Sequence, residues 1–124
     1  EDLNAIKPTI VCGDFNVGIE DIVVYDPKKW KDTCAGFLSD ERENFRKLLE
    51  SGWIDSFRHF HSDEKKQYTY WDQKMPYLRR TNRGWRIDYF LVPKSLLSNV
   101  LSSEIHPEIM GSDHCPITLK IKTL

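Results

Sequence analysis

Cysteine is scarce and unpatterned: Cys12, Cys34 and Cys115 are the 3 in 124 residues, with no CxxC pair, which excludes a disulfide framework or a cysteine zinc site as the organising element. A reducing, intracellular compartment is the simpler expectation. Charge of one sign is not in excess either, since 18 Lys and Arg stand against 19 Asp and Glu for a formal net charge of -1. A large basic field for holding nucleic acid is therefore absent, while a local basic groove stays compatible with the composition. No apolar run approaches the ~20 residues that a membrane span requires. The sequence shows no internal repeat, low-complexity tract, linker, initiator Met, signal peptide or GxSxG nucleophile elbow. With 40% hydrophobic and 12% aromatic residues, one soluble, globular domain at most is expected, and the opening at Glu1 is expected to mark a piece of something longer.

Among the elements present, Thr9-Ile10-Val11-Cys12 is a short β-branched run stopped by Gly13-Asp14, which predicts a strand buried on both faces. Residues 21–31 lack a clear period and are expected to be an ordered loop. Over residues 40–50, Phe45, Leu48 and Leu49 share a helical face, Asp40 and Glu43 have capping-box spacing, and Gly52 supplies the stop. Trp53 to Phe57 leads out of that helix into a polar loop at 61–66. Strands are predicted over 67–71, 85–92 and 116–121, and a short helix over 95–101. Between the first two strands, Lys74, Arg79, Arg80 and Arg83 interleave with Met75 and Tyr77.

Polar residues at the ends of buried strands each require a partner, so their accumulation there is informative. Strand alternation would set Asp14 and Asn16 of Gly13-Asp14-Phe15-Asn16 on one side of the chain. An ordinary Gly-Asp turn is the competing reading. In Gly84-Trp85-Arg86-Ile87-Asp88-Tyr89, Arg86 and Asp88 share a face opposite Trp85, Ile87 and Tyr89, and a surface Arg86–Asp88 pair is the alternative to a functional Asp88. Gly111-Ser112-Asp113-His114-Cys115-Pro116 precedes the last predicted strand and could be a plain loop. Together the clusters supply Asp14 and Asp113 as hard oxygen ligands or bases, Asn16 as an orienting amide, and His114 with Asp88 as its orienter. Oxygen donors of this kind suit Mg²⁺, and a His held by a carboxylate can stabilise charge on phosphorus, which favours phosphoryl chemistry over acyl transfer.

These motifs, with Ala35-Gly36-Phe37, Asp55-Ser56-Phe57-Arg58-His59 and Tyr68-Thr69-Tyr70-Trp71, resemble in sequence and order the exonuclease III-type apurinic/apyrimidinic (AP) endonucleases of the endonuclease/exonuclease/phosphatase superfamily. The resemblance spans almost the whole chain but only the C-terminal half of that family's domain. It implies an α+β fold, the C-terminal half of a four-layer, deoxyribonuclease I-like α/β sandwich with mixed sheets flanked by helices. It further implies that Asp14 orients the attacking water, that Asn16 positions water and phosphate, that His114 contacts the scissile phosphate with Asp88 as its orienter, and that Asp14, Asn16, Asp113 and His114 belong to an Mg²⁺ site, with Mn²⁺ as a substitute. The remaining family site, an Asn, a Glu, a Tyr and DNA-clamping basic residues, would lie upstream.

By the same resemblance, Tyr70, Trp85 and Ile87 match the apolar slot for a sugar lacking its base, Tyr70 replacing the usual Phe or Trp and Ile87 the Leu of some members. Core packing is the alternative for these side chains. Met75 falls with Tyr77 in a loop that presses into the minor groove in some relatives, and Arg79, Arg80 and Arg83 would reach phosphates. The expected activity is cleavage 5′ to abasic sites in double-stranded DNA, accompanied by 3′–5′ exonuclease or 3′-phosphodiesterase activity, in a protein that is monomeric at full length and not membrane-bound. It would reside in the nucleus or mitochondrion of a eukaryote, or the cytoplasm of a bacterium. Another phosphoesterase of the superfamily, or an inactive 124-residue fragment, is the competing expectation.

Overall fold

The computed structural model describes residues 2–123. The strands β1 (Val11–Asp14), β2 (Trp53–Asp55) and β3 (Asp88–Pro93) form an antiparallel sheet in the order β1-β3-β2, and β4 (Val100–Ile105) pairs with β5 (Ile117–Ile121) in a second. The helices are α1 (Asp2–Ile6), α2 (Pro27–Trp30), α3 (Ser39–Glu50), α4 (Ser56–Phe60) and α5 (Tyr77–Arg80), with 3₁₀ turns at Asp21–Val23 and Lys94–Asn99. This is the α+β class expected from the sequence. No helix among the described residues is long and apolar enough to cross a membrane.

The longest of these helices, α3, forms where its apolar spacing predicts. Phe45 is buried, and Leu48 and Leu49 pack with it against Ile19, Trp53, Tyr89 and Leu91. Its start is capped differently from expectation, because the helix begins at Ser39 and so places Asp40 inside the first turn. Asp32 instead accepts the Ser39 backbone N–H at 2.6 Å and its hydroxyl at 2.8 Å, and the Glu41 carboxylate accepts the Gly36 and Leu38 N–H groups. Gly52, at φ 118°, takes the left-handed conformation that ends the helix.

Several sequence expectations are corrected. β1 lies two residues later than predicted, at a sheet edge where it pairs only with β3 among the described residues, and all four of its residues are exposed. Residues 67–71 form no regular strand: Thr69 and Tyr70 N–H groups both donate to the Trp85 carbonyl at 2.9 Å, leaving single bridges where a ladder was expected. The β-prone composition there records packing against neighbours. The strand expected from Trp85 begins only at Asp88, since Arg86 N–H turns to the Val23 carbonyl at 2.8 Å. The supposed loop at 21–31 contains α2, and the helix predicted at 95–101 is a 3₁₀ turn.

Arg86 does not form a surface pair with Asp88. It is fully buried, and its two terminal nitrogens fork onto Asp55 Oδ1 and Oδ2 at 3.0 and 2.7 Å. Asp55 is also the N-cap of α4, accepting from the Arg58 N–H. The buried ion pair thus fastens α4 to the segment that leads into Asp88.

Candidate active site

The antiparallel register of β1 and β3 sets Asp14 directly opposite Asp88 at the end of the ladder. His114 enters from the turn before β5, with Nδ1 2.8 Å from Asp88 Oδ2 and Nε2 3.7 Å from Asp14 Oδ2. The side chains of Asp14, His114 and Asp88 are 35%, 28% and 13% exposed, so the carboxylate behind the imidazole is the driest and Asp14 is the one that meets solvent. That gradient separates an orienting acid from an acid available to water or substrate. His114 Nδ1–H donates to Asp88, which fixes the ring and leaves Nε2 turned toward Asp14.

Two local devices fix the carboxylates. Asn16 adopts a left-handed φ of 53°, and its backbone N–H donates to Asp14 Oδ1 at 2.8 Å, an Asx-type turn that short amides tolerate. The Thr69 hydroxyl donates to Asp88 Oδ2 at 2.6 Å and accepts from the Ile87 N–H at 3.1 Å. Thr69 was overlooked by sequence reasoning; its position, alternating with Tyr68 and Tyr70, was the available signal.

Tyr70, Trp85 and Ile87 come together with Asn16, Gly36 and His114 around a hollow of 380 Å³. The Tyr70 ring centroid is 5.1 Å from that of His114, while Trp85 rests against Trp30 and Phe37 at 5.9 and 5.8 Å. Trp85 is consequently both a wall of the hollow and part of the core. Burial, then the charges of Asp72 and Asp113, raises the Tyr70 hydroxyl above its ordinary value. Gly36 is required at the floor: at φ 90°, a Cβ there would come within 2.8 Å of the Asn16 carbonyl oxygen. Glu41, which holds the Gly36 N–H, lines the same hollow and was also missed.

The remaining sequence candidates are outside the Asp14–Asp88–His114 cluster, although Met75 and Arg83 share a hollow of 160 Å³ with Tyr70 and Trp85. Asp113 accepts from the Ser112 hydroxyl at 3.3 Å and borders a neighbouring 660 Å³ hollow with Trp71 and Arg80. Met75 and Tyr77 are exposed and contact one another, the Tyr77 hydroxyl donating to Met75 Sδ at 3.6 Å. Arg80 and Arg83 are exposed. Arg79 is turned instead toward the backbone of residues 107–112.

Asp14, Asp88 and His114 each offer a ligand atom, all within 4.8 Å of one another. His114 Nδ1 and Asp88 Oδ2 already satisfy each other, leaving the Asp14 carboxylate and the second Asp88 oxygen as hard donors. This donor set fits an oxygen-preferring divalent cation.

Residues 1–114 match the endonuclease/exonuclease/phosphatase family. The chain is 46% identical over 117 residues to the DNA repair nuclease APEX1 of Danio rerio, covering 94% of this chain and 37% of that protein. It is 43% identical over 120 residues to an exodeoxyribonuclease of Bacillus subtilis, covering 97% and 47%. Its fold superposes on the crystal structure of the AP endonuclease LMAP from Leishmania major with a TM-score of 0.84 at 33% identity, covering 93% of this chain and 35% of that one. The chain thus spans less than half of the length of each of these relatives.

Proposed function

Because this chain belongs to the endonuclease/exonuclease/phosphatase family, we propose that the protein it forms is a DNA repair endonuclease that hydrolyses the phosphodiester bond 5′ to an abasic site. The observation that supports this reading above others is the Asp88–His114 pair, with Asp14 beside it, at the rim of a hollow walled by Tyr70, Trp85 and Ile87. Phosphate chemistry needs the first group of residues, and a base-free sugar suits the second.

Asp14 orients a water for in-line attack and receives its proton. As the water oxygen bonds to phosphorus, the bond to the 3′-oxygen breaks, and that oxygen takes a proton from solvent water to leave a 3′-hydroxyl, with the phosphate retained on the abasic sugar. His114, its imidazole fixed through Nδ1 by Asp88, presents Nε2 to a phosphate oxygen, and as the imidazolium it donates from Nε2–H to the charge that grows there. Asn16 orients the water or phosphate from the lip of the hollow. A divalent cation held by Asp14 and its neighbours, Mg²⁺ by the preference of hard oxygen donors, supplies charge neutralisation at phosphate when bound.

Selectivity follows from size, since a flipped nucleotide with its base intact is bulkier than the slot between Trp85, Tyr70 and Ile87 admits. We propose Arg80, Arg83, Met75 and Tyr77 as the DNA-facing residues beyond it. The activity is proposed for the intact protein, and the 124 residues alone are expected to fall short of it. Incubating the intact protein and Mg²⁺ with an abasic duplex, an unmodified duplex and an inositol phosphate tests the reading. Incision confined to the 5′ side of the abasic site, and abolished by chelation, is expected; hydrolysis of the inositol phosphate with the abasic duplex untouched would overturn it.

A further inference from the structure

Arg79 sits on α5, far in sequence from His114, and all of its side-chain hydrogen bonds among the described residues end on one short segment. Its Nη1 donates to the Ser112 carbonyl at 2.6 Å, and its Nη2 to the Pro107 and Ile109 carbonyls at 3.1 and 3.0 Å. Its Nε is buried, and the guanidinium lies 4.6 Å from the Trp71 ring centroid. Each group that Arg79 touches next to His114 is itself bonded to the His114 turn. The Ser112 hydroxyl accepts the His114 N–H at 3.1 Å, and the Trp71 N–H donates to the Asp113 carbonyl at 3.0 Å.

The segment needs such a tie. It joins β4 to β5 and carries Ile109 and Met110, 48% and 71% exposed, so apolar burial contributes little to its shape. Three backbone carbonyls converging on one side are mutually repulsive unless a multivalent donor stands between them. The guanidinium fork supplies donors in fixed directions, which a lysine ammonium, a compact point charge, does not reproduce.

We propose that Arg79 is a positioning residue: it ties residues 107–112 into the conformation that presents His114 to the scissile phosphate, and it does not grip DNA itself. The inference rests on the nuclease reading of the site. A phosphate-binding Arg79 and a clamping Arg79 differ in what each loses on substitution. Removing a phosphate contact weakens binding and lowers the salt dependence of affinity by about one counterion. Removing the clamp leaves binding and its salt dependence in place but misplaces His114 beyond its working tolerance, since an error of about 1 Å costs ~10²-fold in rate.

The test uses Arg79→Lys and Arg79→Ala in the intact protein, with abasic-duplex kinetics, binding at several salt concentrations, and amide hydrogen exchange at Ile109, His114 and Cys115. The clamp predicts a fall in kcat of ~10- to 10²-fold in both variants, KM within about twofold of wild type, an unchanged salt slope, and faster exchange at those amides. An Arg79→Lys variant with wild-type kcat and exchange, or one whose loss lies wholly in KM and salt slope, would overturn the proposal. Where Arg79→Ala folds poorly, methylguanidinium supplies a second measurement: return of slow exchange on its addition supports the clamp, and unchanged exchange counts against it. If the wild-type protein cleaves no DNA, the nuclease reading fails by itself, and the exchange data still decide whether Arg79 holds the segment.

Discussion

Asp88 Oδ2 receives two donors at once, His114 Nδ1 at 2.8 Å and the Thr69 hydroxyl at 2.6 Å, and so cannot rotate to satisfy one without releasing the other. His114 and Asp88 therefore work as a single unit. His114→Asn and Asp88→Ala should each lower kcat by orders of magnitude, and the double variant should be little worse than His114→Asn alone. Losses that add in a double-mutant cycle would separate the two residues.

Asp14 carries a different burden, because it is the acid that solvent reaches. Asp14→Asn preserves the hydrogen bond from the Asn16 N–H while removing the charge. Abasic-duplex affinity should change little while kcat falls by orders of magnitude, as for a group that acts mainly in the transition state. Parallel titrations of binding and single-turnover cleavage would show it, and a mild rate loss would remove Asp14 from its role.

Trp85 is packed on Trp30 and Phe37 as well as facing the hollow, so Trp85→Ala conflates core loss with pocket loss. Trp85→Phe keeps an aromatic ring in place and widens the slot. The ratio of kcat/KM for abasic over intact sites should fall, by up to ~10²-fold, with the thermal midpoint shifted only slightly. A large drop in the midpoint at unchanged selectivity would assign Trp85 to the core alone.

Asp55→Ala should be among the most destabilising single substitutions in the chain. It strands the fully buried Arg86 charge and removes the α4 cap together, for a cost of about 3–5 kcal/mol. Urea unfolding of the intact protein measures it; a loss under about 1 kcal/mol would mean that water or another carboxylate compensates Arg86.

Acid should loosen the start of α3. Hydrogen bonds from the Ser39 hydroxyl and then its N–H hold the Asp32 carboxyl below its ordinary 3.8. A lowered folded-state value means that the carboxylate contributes stability above pH 3.8 and loses it as pH falls through the depressed value. Asp32→Asn should flatten that part of the acid profile of Ser39 amide exchange; an unchanged profile would reject the cap.

The legible parts of this molecule are those specified by local pattern. The Phe45, Leu48 and Leu49 stripe marked α3, and Gly52 marked its end. Asp14, Asp88 and His114 were evident as polar residues at strand ends. What could not be read was partnership at long range. Nothing near Arg86 in sequence announces Asp55, 31 residues away, and nothing near Arg79 announces Ser112, 33 residues away. β4 went unforeseen because Ser102, Ser103 and Glu104 dilute its alternation, and only pairing with β5 makes it a strand. The aromatic run at 67–71 misled for the converse reason, its side chains being chosen for contacts that need no ladder.

Asp14 and Asp88 occupy the same rung of the β1–β3 ladder, flanked by Gly13 opposite Tyr89. A slip of one residue turns every side chain of β1 to the other face and parts the two acids. On the proposed reading, turnover by the intact protein would report strand alignment: in a folding population, the active fraction would count the molecules whose edge strand has docked in register, independently of how much total β-structure they contain.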